Sequence, residues 1–244
     1  MTTRRLKTQF YFLLTTLFLV TITNAYAQNP RVEDIFDGKT LQGWKQLTGS
    51  ATYDVVDGMI VGTTVSGSPN SFLATEKEYG DFILELEVKI EGGKNNSGIM
   101  TRSHFDANGN NGAGRVYGRQ VEVDPTDRKW SGGIYDEARR GWLYPLDLNE
   151  AARAAFDVDK FNHIRIECIG DETKTWVNGI PTAHVIDTVD RQGFIALQVH
   201  SIAKDHQPGE KVYFKNIKLK TDNLKPKDFP SNIKIVNLKD EEPK

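Results

Sequence analysis

The alternation of apolar and polar residues along this chain is the feature that most limits how it can fold. The clearest case is residues 82–90, where five apolar residues alternate with Ile83, Glu85, Glu87 and Lys89. Successive side chains of a strand point to opposite faces, so this pattern predicts one buried and one polar face. The same period recurs near residues 120–123, 164–168 and 194–200. The chain therefore predicts many short, half-buried strands.

The connections between these segments favour antiparallel pairing. Asp57-Gly58 and Asn178-Gly179 each stand between apolar runs, a pattern typical of tight hairpins. In the last strong strand, 211–220, the apolar residues switch from one strand face to the other between Phe214 and Ile217. This switch predicts a bulge near Lys215-Asn216. Only residues 148–156 read as a helix, and that segment is short. The Asn- and Gly-rich segment 103–118 predicts a flexible loop. Strands, regular turns and one weak helix predict an all-β protein, an antiparallel β-sandwich or jelly roll.

The first 27 residues predict a secretory signal peptide. Three basic residues precede an apolar run at 10–22, and Ala25-Tyr26-Ala27 forms a small-x-small cleavage site. The apolar run is short for a bilayer span, which argues against the alternative of a membrane anchor. We therefore expect an exported protein, periplasmic or extracellular, that is not an integral membrane protein once residues 1–27 are removed.

Composition limits the remaining 217 or so residues to one domain and excludes one class of partner. The net charge of −2 gives no basic surface for nucleic acid. Cys168 is the only cysteine, so no internal disulfide can form. We expect a single β-sandwich domain at 28–222, followed at 223–244 by a lysine-rich, proline-interrupted extension on the surface.

Residues 116–146 carry the densest set of chemically active side chains. Gln120, Glu122 and Asp124 alternate with two valines, which predicts that the amide and both carboxylates share one strand face. The following loop is rich in aromatic rings, carboxylates and guanidinium groups: Trp130, Tyr135, Asp136, Glu137, Arg139, Arg140, Trp142 and Tyr144. Such a set suits a polar, ring-shaped ligand such as a sugar. The alternative is an edge strand with a solvated loop, although solvated loops seldom hold so many aromatic residues.

Two other strands carry polar groups opposite an apolar face. Ile99 and Thr101 are expected on one face of their strand and Arg102 on the other. In a second strand, Gln198 and His200 alternate with Leu197 and Val199. A curved sheet with a polar, concave face would produce this pattern. Three alternatives stay open. His200 can be a hydrogen-bonded histidine at a strand end, Arg102 can form a structural ion pair with Glu85 or Glu87, and Glu122 and Asp124 can lie on an outer surface.

Nine short motifs, in order and spacing, resemble the 3-keto-disaccharide hydrolase domain family. They are FDGKTLQGW (36–44), DGMIVG (57–62), YGDFILELEVKI (79–90), NSGIMTR (96–102), GRQVEVD (118–124), GGIYDEA (132–138), VNG (177–179), GFIALQVH (193–200) and VYFKNIKLK (212–220). The resemblance implies a jelly roll of the concanavalin A-like lectin/glucanase type. It also implies an exported protein acting in glycan degradation on small carbohydrates, 3-keto-glycosides. Two positions depart from the common pattern. Gly118-Arg119 stand where many relatives have Tyr-Glu, and Phe161-Asn162 stand where many have Trp-Asn.

The implied chemistry begins with proton removal at carbon 2, because a ketone at carbon 3 acidifies that proton. Glu122 and His200 are the two candidates for the base, and Arg102 is the candidate that stabilises the enolate oxygen. Further residues are expected to bind the sugar. Gln120, Gln198 and Asp124 are expected to bind hydroxyl groups, and Tyr135, Arg139 and Trp142 to close over the ring.

A divalent metal, either calcium or a transition metal, is a further hypothesis, with His200, Glu122 and Asp124 as ligands. Two alternative functions also remain. One is a non-catalytic carbohydrate-binding module, which fold alone cannot separate from an enzyme. The other is an ordinary endo-glucanase that uses Glu122 and Asp124 as paired acids.

Overall fold

A computed structural model describes residues 32–239 of the chain, which form two packed β-sheets. The predicted signal peptide lies outside the described residues. Within residues 32–239, no helix has the length and apolar content needed to cross a membrane.

The first sheet, called sheet A, is antiparallel apart from one short edge pairing. Its strands are β1 (Val32–Asp34), β3 (Thr52–Val56), β4 (Met59–Thr63), β6 (Phe82–Ile90), β11 (Asn162–Ile169), β12 (Glu172–Val177), β13 (Ile180–Ile186), β15 (Lys211–Lys220) and β16 (Val236–Asn237). Their order across the sheet is β16-β13-β12-β11-β6-β15-β4-β3, and β1 also pairs with β15.

The second sheet, called sheet B, is antiparallel throughout its described pairings. Its strands are β2 (Trp44–Gln46), β5 (Ser71–Tyr79), β7 (Ser97–Asp106), β8 (Arg115–Val123), β9 (Ile134–Glu137), β10 (Gly141–Tyr144) and β14 (Gly193–Val199). Their order is β10-β9-β8-β7-β14-β5-β2. Strands that are distant in sequence, such as β7 and β14, are therefore neighbours in space.

The main core lies between the two sheets, as the alternation predicts. Leu84 and Leu86 of β6 are in one buried cluster with Ile99 of β7, Val121 of β8 and Leu197 of β14. Every second residue of these strands faces this core, so the intervening residues of sheet B face outward. The all-β sandwich is confirmed.

Both predicted hairpins are confirmed. Asp57 and Asn178 have positive φ angles, and each is followed by a glycine that also has positive φ. These are the conformations that a tight primed turn requires, and they join β3 to β4 and β12 to β13. The predicted bulge of β15 is also present, where the pairing with β6 shifts between Lys215 and Lys218.

The structure differs from expectation at two local segments. The predicted helix at 148–156 is a 3-10 helix, Leu146–Ala154. The segment 103–118, expected as a loop, continues β7 to Asp106 and begins β8 at Arg115, so that only a short turn separates them.

The chain beyond β15 packs against the outer face of sheet A. The Phe229 ring lies 5.5 Å from the Trp176 ring, and β16 then pairs in parallel with β13. Leu238 joins a second buried cluster with Ile134 and Tyr144. Part of the extension predicted at 223–244 is thus packed on the domain.

Candidate functional site

The outward face of sheet B carries a polar cleft of about 270 Å³. Ten residues line it: Asn70, Asn96, Gln120, Glu122, Arg128, Tyr135, Glu137, Trp142, Gln198 and His200. Six of the nine predicted site residues are among them, namely Gln120, Glu122, Tyr135, Trp142, Gln198 and His200. Gln120, Tyr135 and Gln198 alternate in sequence with residues whose side chains are buried on the core side.

The strand register places these side chains next to one another. Gln120 of β8 pairs with Tyr135 of β9 on one side and with Met100 of β7 on the other. Glu122 pairs with Gly98, which has no side chain to cover the strand. The Gln120 side chain occupies that space, because a Cβ added at Gly98 would lie 2.3 Å from its Cδ. Gly98 therefore lets Gln120 lie across β7 and reach Glu122.

Glu122 lies at the floor of the cleft and is 3 % exposed. Asn96 Nδ2 donates to its Oε1 at 3.0 Å, and Gln120 Nε2 donates to its Oε2 at 3.2 Å. Burial raises the pKa of Glu122 to about 8, and the nearby Asp124 charge adds to this effect, while Gln120 and Arg128 oppose it. The carboxylate is consequently a stronger base than an exposed one.

His200 follows β14 at the edge of the same cleft. Its Nδ1 is 2.9 Å from the Ser201 carbonyl oxygen, which can only accept, so Nδ1 carries the proton. In the neutral ring the lone pair is then on Nε2. Burial lowers the pKa of His200, which favours this neutral form.

Several side-chain amide atoms of the cleft are buried and have no hydrogen-bond partner within residues 32–239. They are Nε2 and Oε1 of Gln198, Oε1 of Gln120 and Oδ1 of Asn96. Buried polar atoms are normally hydrogen-bonded, and amides offer both donors and acceptors. This set therefore suits a ligand with several hydroxyl groups.

One wall of the cleft is aromatic and cationic. The Trp142 ring lies 5.1 Å from Tyr135 and 4.6 Å from Trp130. The Arg128 guanidinium lies 5.3 Å from the Trp142 ring centroid. Its Nε donates to Asp124 Oδ2 at 2.6 Å, which fixes the direction of the guanidinium.

The predicted cleft position of Arg102 is wrong. Its guanidinium is fully buried and donates to Gly80 O, Gly170 O and Asp81 Oδ1, each at 2.8 Å. The β7–β8 pairing shifts between Thr101 and His104, and Arg102 has a φ of +48°. This bulge breaks the alternation on which the prediction rested. The ion pair with Glu85 or Glu87 is also not formed, since Asp81 is the partner.

Asp124 and Arg139 do not line the cleft either. The Asp124 carboxylate is buried and accepts from Thr126 Oγ1 and Arg128 Nε, both at 2.6 Å. It therefore supports Arg128 behind the cleft. Arg139 is bound to Asp136 and Asp190. Within residues 32–239, no three carboxylate, imidazole or thiol side chains are grouped closely enough to hold a metal ion, so Asp124 does not complete a set with Glu122 and His200.

Four cleft residues were not among the predicted site residues. Asn70 and Arg128 lie in loops, where periodicity gives no signal, and Asn96 is in the turn before β7. Glu137 is two residues beyond Tyr135, and continuing the strand period would have placed it on the same face.

A buried network of ion pairs lies behind β9 and β10. Asp136 stands between Tyr135 and Glu137 and binds Arg139 and Arg140. The network continues through Arg119 of β8 to Asp187 and Asp190, which lie in the segment after β13. It connects the β9–β10 hairpin, with its cleft residues, to sheet A.

The outward face of this β-sandwich thus carries a polar cleft with unpartnered amide atoms and an aromatic wall. Such a cleft is typical of proteins that bind carbohydrate or act on it. The chain belongs to the family of 3-keto-alpha-glucoside-1,2-lyase-like domains, whose match extends over residues 31–220. This confirms the resemblance drawn from the nine motifs.

Solved structures of similar fold include a putative glycosyl hydrolase from Parabacteroides distasonis, at 18 % identity and TM-score 0.54, covering 78 % of this chain and 93 % of that one. A Bacillus subtilis protein of unknown function with a galectin-like fold matches at 10 % identity and TM-score 0.53, covering 78 % and 94 %. A native glycosidic hydrolase matches at 13 % identity and TM-score 0.53, covering 81 % and 97 %. At these identities the likeness shows the fold. A comparison with curated protein sequences finds no significant match.

Proposed function

We propose that this protein cleaves the glycosidic bond of 3-keto-glycosides by removing the proton on carbon 2. The observation that carries the proposal is the buried Glu122 carboxyl, which lies at the floor of the cleft and accepts hydrogen bonds from the amides of Asn96 and Gln120. Export, predicted from residues 1–27, is part of the same proposal.

The reaction balances as an elimination followed by hydration. A base takes the proton from carbon 2, and the electron pair moves toward the ketone oxygen to form an enolate. The enolate then forms the carbon 1–carbon 2 double bond as the carbon 1–oxygen bond breaks, and the leaving oxygen takes a proton. Water adds to carbon 1 of the unsaturated ketone and a proton returns to carbon 2, so one water is consumed overall.

Glu122 is the proposed base, and His200 is the second candidate. The pKa of Glu122, about 8, makes its carboxylate strongly basic and places its ionisation near working pH. The neutral imidazole of His200, with its lone pair on Nε2, can also accept a proton. Arg128, held by Asp124, replaces Arg102 as the cation that stabilises the enolate oxygen.

The test is turnover of a 3-keto-glucoside by purified variants. Glu122→Gln and His200→Ala are each expected to lower kcat/KM by about 100-fold or more while the protein stays folded. Glu76→Gln, an exposed change on sheet B, is the control and should keep full activity. If both cleft variants turn over like the wild type, the assignment fails.

The pH profile separates the two bases. If Glu122 is the base, kcat/KM rises with pH, is half-maximal near pH 8, the pKa of this carboxyl, and levels off above that pH. If His200 is the base, the rise is complete at lower pH, because burial lowers its pKa below the usual range.

Two other functions compete. The unpartnered amides and the aromatic wall also suit a module that only binds carbohydrate, which calorimetry would reveal as binding of a 3-keto-glycoside without turnover. The endo-glucanase hypothesis is weakened, because Asp124 faces Thr126 and Arg128 and cannot pair with Glu122 in the cleft. Turnover of an unoxidised β-glucan would restore it.

A further inference from the structure

The cleft has a neighbour, a second cavity of about 460 Å³ on the same side of the protein. Asn70 and Glu137 line both cavities. These two side chains are also bonded to each other, since Asn70 Nδ2 donates to Glu137 Oε1 at 3.3 Å. The second cavity therefore begins where the cleft ends, with Glu137 at the junction.

The second cavity is more apolar than the cleft, although polar side chains also line it: Thr48, Asn110, Arg115 and Ser201. Its strand-borne wall includes Phe72 and Val116, both members of a small apolar cluster on the outward face of sheet B. Turn residues add further apolar surface: Pro69, Ala113 and Ala138. Phe72 pairs with Gln198 across β5 and β14, so an aromatic ring and a sugar-binding amide occupy adjacent strands. The outward face of the sheet thus changes from polar to apolar across the junction.

Glu137 has the properties of an acid at that junction. It lies on β9 beside Tyr135 and is largely buried. Burial raises its pKa, and the nearby Asp136 charge adds to this, while the hydrogen bond from Asn70 opposes it. The protonated form is therefore more populated at neutral pH than in an exposed glutamate. Asn70 is fixed in turn, because its Oδ1 accepts from the Ser201 backbone N–H at 2.9 Å.

We infer that the second cavity binds the leaving group of the glycoside, that this group is an aglycone with an apolar aromatic or aliphatic face, and that Glu137 protonates its oxygen. The inference rests on the proposed function, in which the sugar ring occupies the cleft. The glycosidic oxygen, which joins the two parts of the substrate, then lies at the junction. As the carbon 1–oxygen bond breaks, its electron pair stays on the oxygen and the Glu137 proton is transferred to it.

The volume of the second cavity is compatible with such a group. Small-molecule sites commonly measure about 300–1,000 Å³ and combine apolar walls with a few polar groups. A benzyl or alkyl group would bury apolar surface against Pro69, Ala113 and Ala138. Phe72 and Val116, which are 2 % and 3 % exposed, form the back of this wall.

The first experiment compares benzyl and methyl 3-keto-glucosides of one anomeric configuration. Benzyl alcohol and methanol have similar acidity, so a rate difference reports binding and not leaving-group ability. The wild type is expected to favour the benzyl compound by about tenfold or more in kcat/KM. Ala113→Trp, which fills the second cavity from an exposed turn, should abolish the preference. Ala107→Trp, in the same turn but outside the cavity, should retain it.

The second experiment tests Glu137 through leaving-group acidity. Glu137→Gln is expected to lower turnover of the benzyl compound by about 100-fold, because a poor leaving group needs the proton. The same variant should lose less than about tenfold on a 4-nitrophenyl 3-keto-glucoside, whose leaving group departs as the anion. Equal losses on both substrates would assign Glu137 a structural role and overturn its part of the inference.

Failure of this inference is distinguishable from failure of the proposed function. If the wild type turns over methyl and benzyl compounds equally, the aglycone cavity is refuted while the keto-glycoside activity stands. If no 3-keto-glycoside is turned over, the proposed function fails. Calorimetric titration with the same two compounds then tests whether the second cavity binds the apolar group. Equal affinities would refute this binding. Tighter binding of the benzyl compound, lost in Ala113→Trp, would support it.

Discussion

Glu122 combines two properties that normally exclude each other, deep burial and an ionisable carboxyl with only amide partners. Its pKa in the folded protein is about 8, against an ordinary value of 4.5. Since the folded state holds this proton more tightly than the unfolded chain, ionisation of Glu122 favours unfolding. The stabilisation from the protonated form is complete below pH 4.5 and is lost as the pH rises through 8.

Glu122→Gln is accordingly expected to stabilise the protein at high pH. The gain in unfolding free energy should be about 5 kcal/mol at pH 9 and near zero at pH 4, because the glutamine never ionises. Urea unfolding at the two pH values measures it, in parallel with the loss of turnover. A stability difference that does not change with pH would mean that Glu122 ionises normally.

Gly98 is the second residue whose role can be tested alone. In Gly98→Ala the new Cβ would meet the Gln120 side chain at 2.3 Å, which must move off β7 and lose its contact with Glu122. We expect kcat/KM to fall by about tenfold or more with little change in Tm, because the displaced amide can move into the cleft. Gly80→Ala is the matched control, since its Cβ would make an ordinary contact at 3.6 Å. Equal effects of the two changes would contradict this role.

The sequence predicts cleft residues only where strand alternation holds. Gln120, Glu122 and Gln198 lie on uninterrupted strands, and the period places them together correctly. Arg102 is at a bulge of β7, where the pairing shifts both with β8 and with the distant strand β14, and no local pattern encodes it. Asp124 follows the last residue of β8, so the alternation no longer determines its direction. Asn70 and Arg128 approach the cleft through tertiary packing of loops.

At the scale of elements, the β9–β10 hairpin holds Tyr135, Glu137 and Trp142 in the cleft wall, and Asp136 anchors it from behind. Asp136 is fully buried between two guanidinium groups. Removing one member of a buried network leaves the opposite charge unpaired in a poorly hydrated site. The hairpin therefore depends on charge pairing as well as on backbone hydrogen bonds.

Asp136→Asn is expected to lower the unfolding free energy by about 3–5 kcal/mol, because Arg139 and Arg140 lose a buried partner. Asp147→Asn breaks a partly exposed pair with Arg153 and should cost about 0–1 kcal/mol. Urea unfolding measures both. Similar small losses in the two variants would show that the network contributes little to the hairpin.

Elements were predicted best where local chemistry specifies a turn. Asp57-Gly58 and Asn178-Gly179 adopt the positive φ angles that such pairs favour. The segment between β7 and β8 was misread because its many Asn and Gly residues suggested a long loop, whereas strand pairing extends on both sides of a short turn. The 3-10 helix at Leu146–Ala154 contains Asn149 in a non-helical conformation, so helical propensity in this segment does not extend to an α-helix.

At the scale of the whole molecule, the family match ends at residue 220, but the packed structure continues to Leu238. The final segment passes over sheet A, and Lys234 O accepts a hydrogen bond from Tyr144 Oη at 2.9 Å. Its lysines and prolines carry no strand period, so composition predicted a surface extension. Contact with a remote edge strand, β13, is what orders it.

Leu238→Ala is expected to lower the unfolding free energy by about 2–3 kcal/mol, since Leu238 packs in a buried cluster with Ile134 and Leu146. Ile235→Ala, three residues earlier and 47 % exposed, should have little effect. Thermal or urea unfolding of the two variants measures the change in unfolding free energy. If both changes are silent, the final segment does not contribute to the stability of the domain.

The two cavities differ in the part of the fold that builds them. The floor of the cleft is borne by paired strands of sheet B, whereas the second cavity is walled mainly by turns at 48–49, 69–70 and 110–114. Turns tolerate insertion and substitution far better than strands do, because few core contacts depend on them. If the second cavity binds the aglycone, as we infer, these turns can be lengthened or exchanged to admit a different one while the carboxylate and amides of sheet B keep their register. On this inference, the strands of sheet B fix the reactive groups, and the turns determine which leaving group fits.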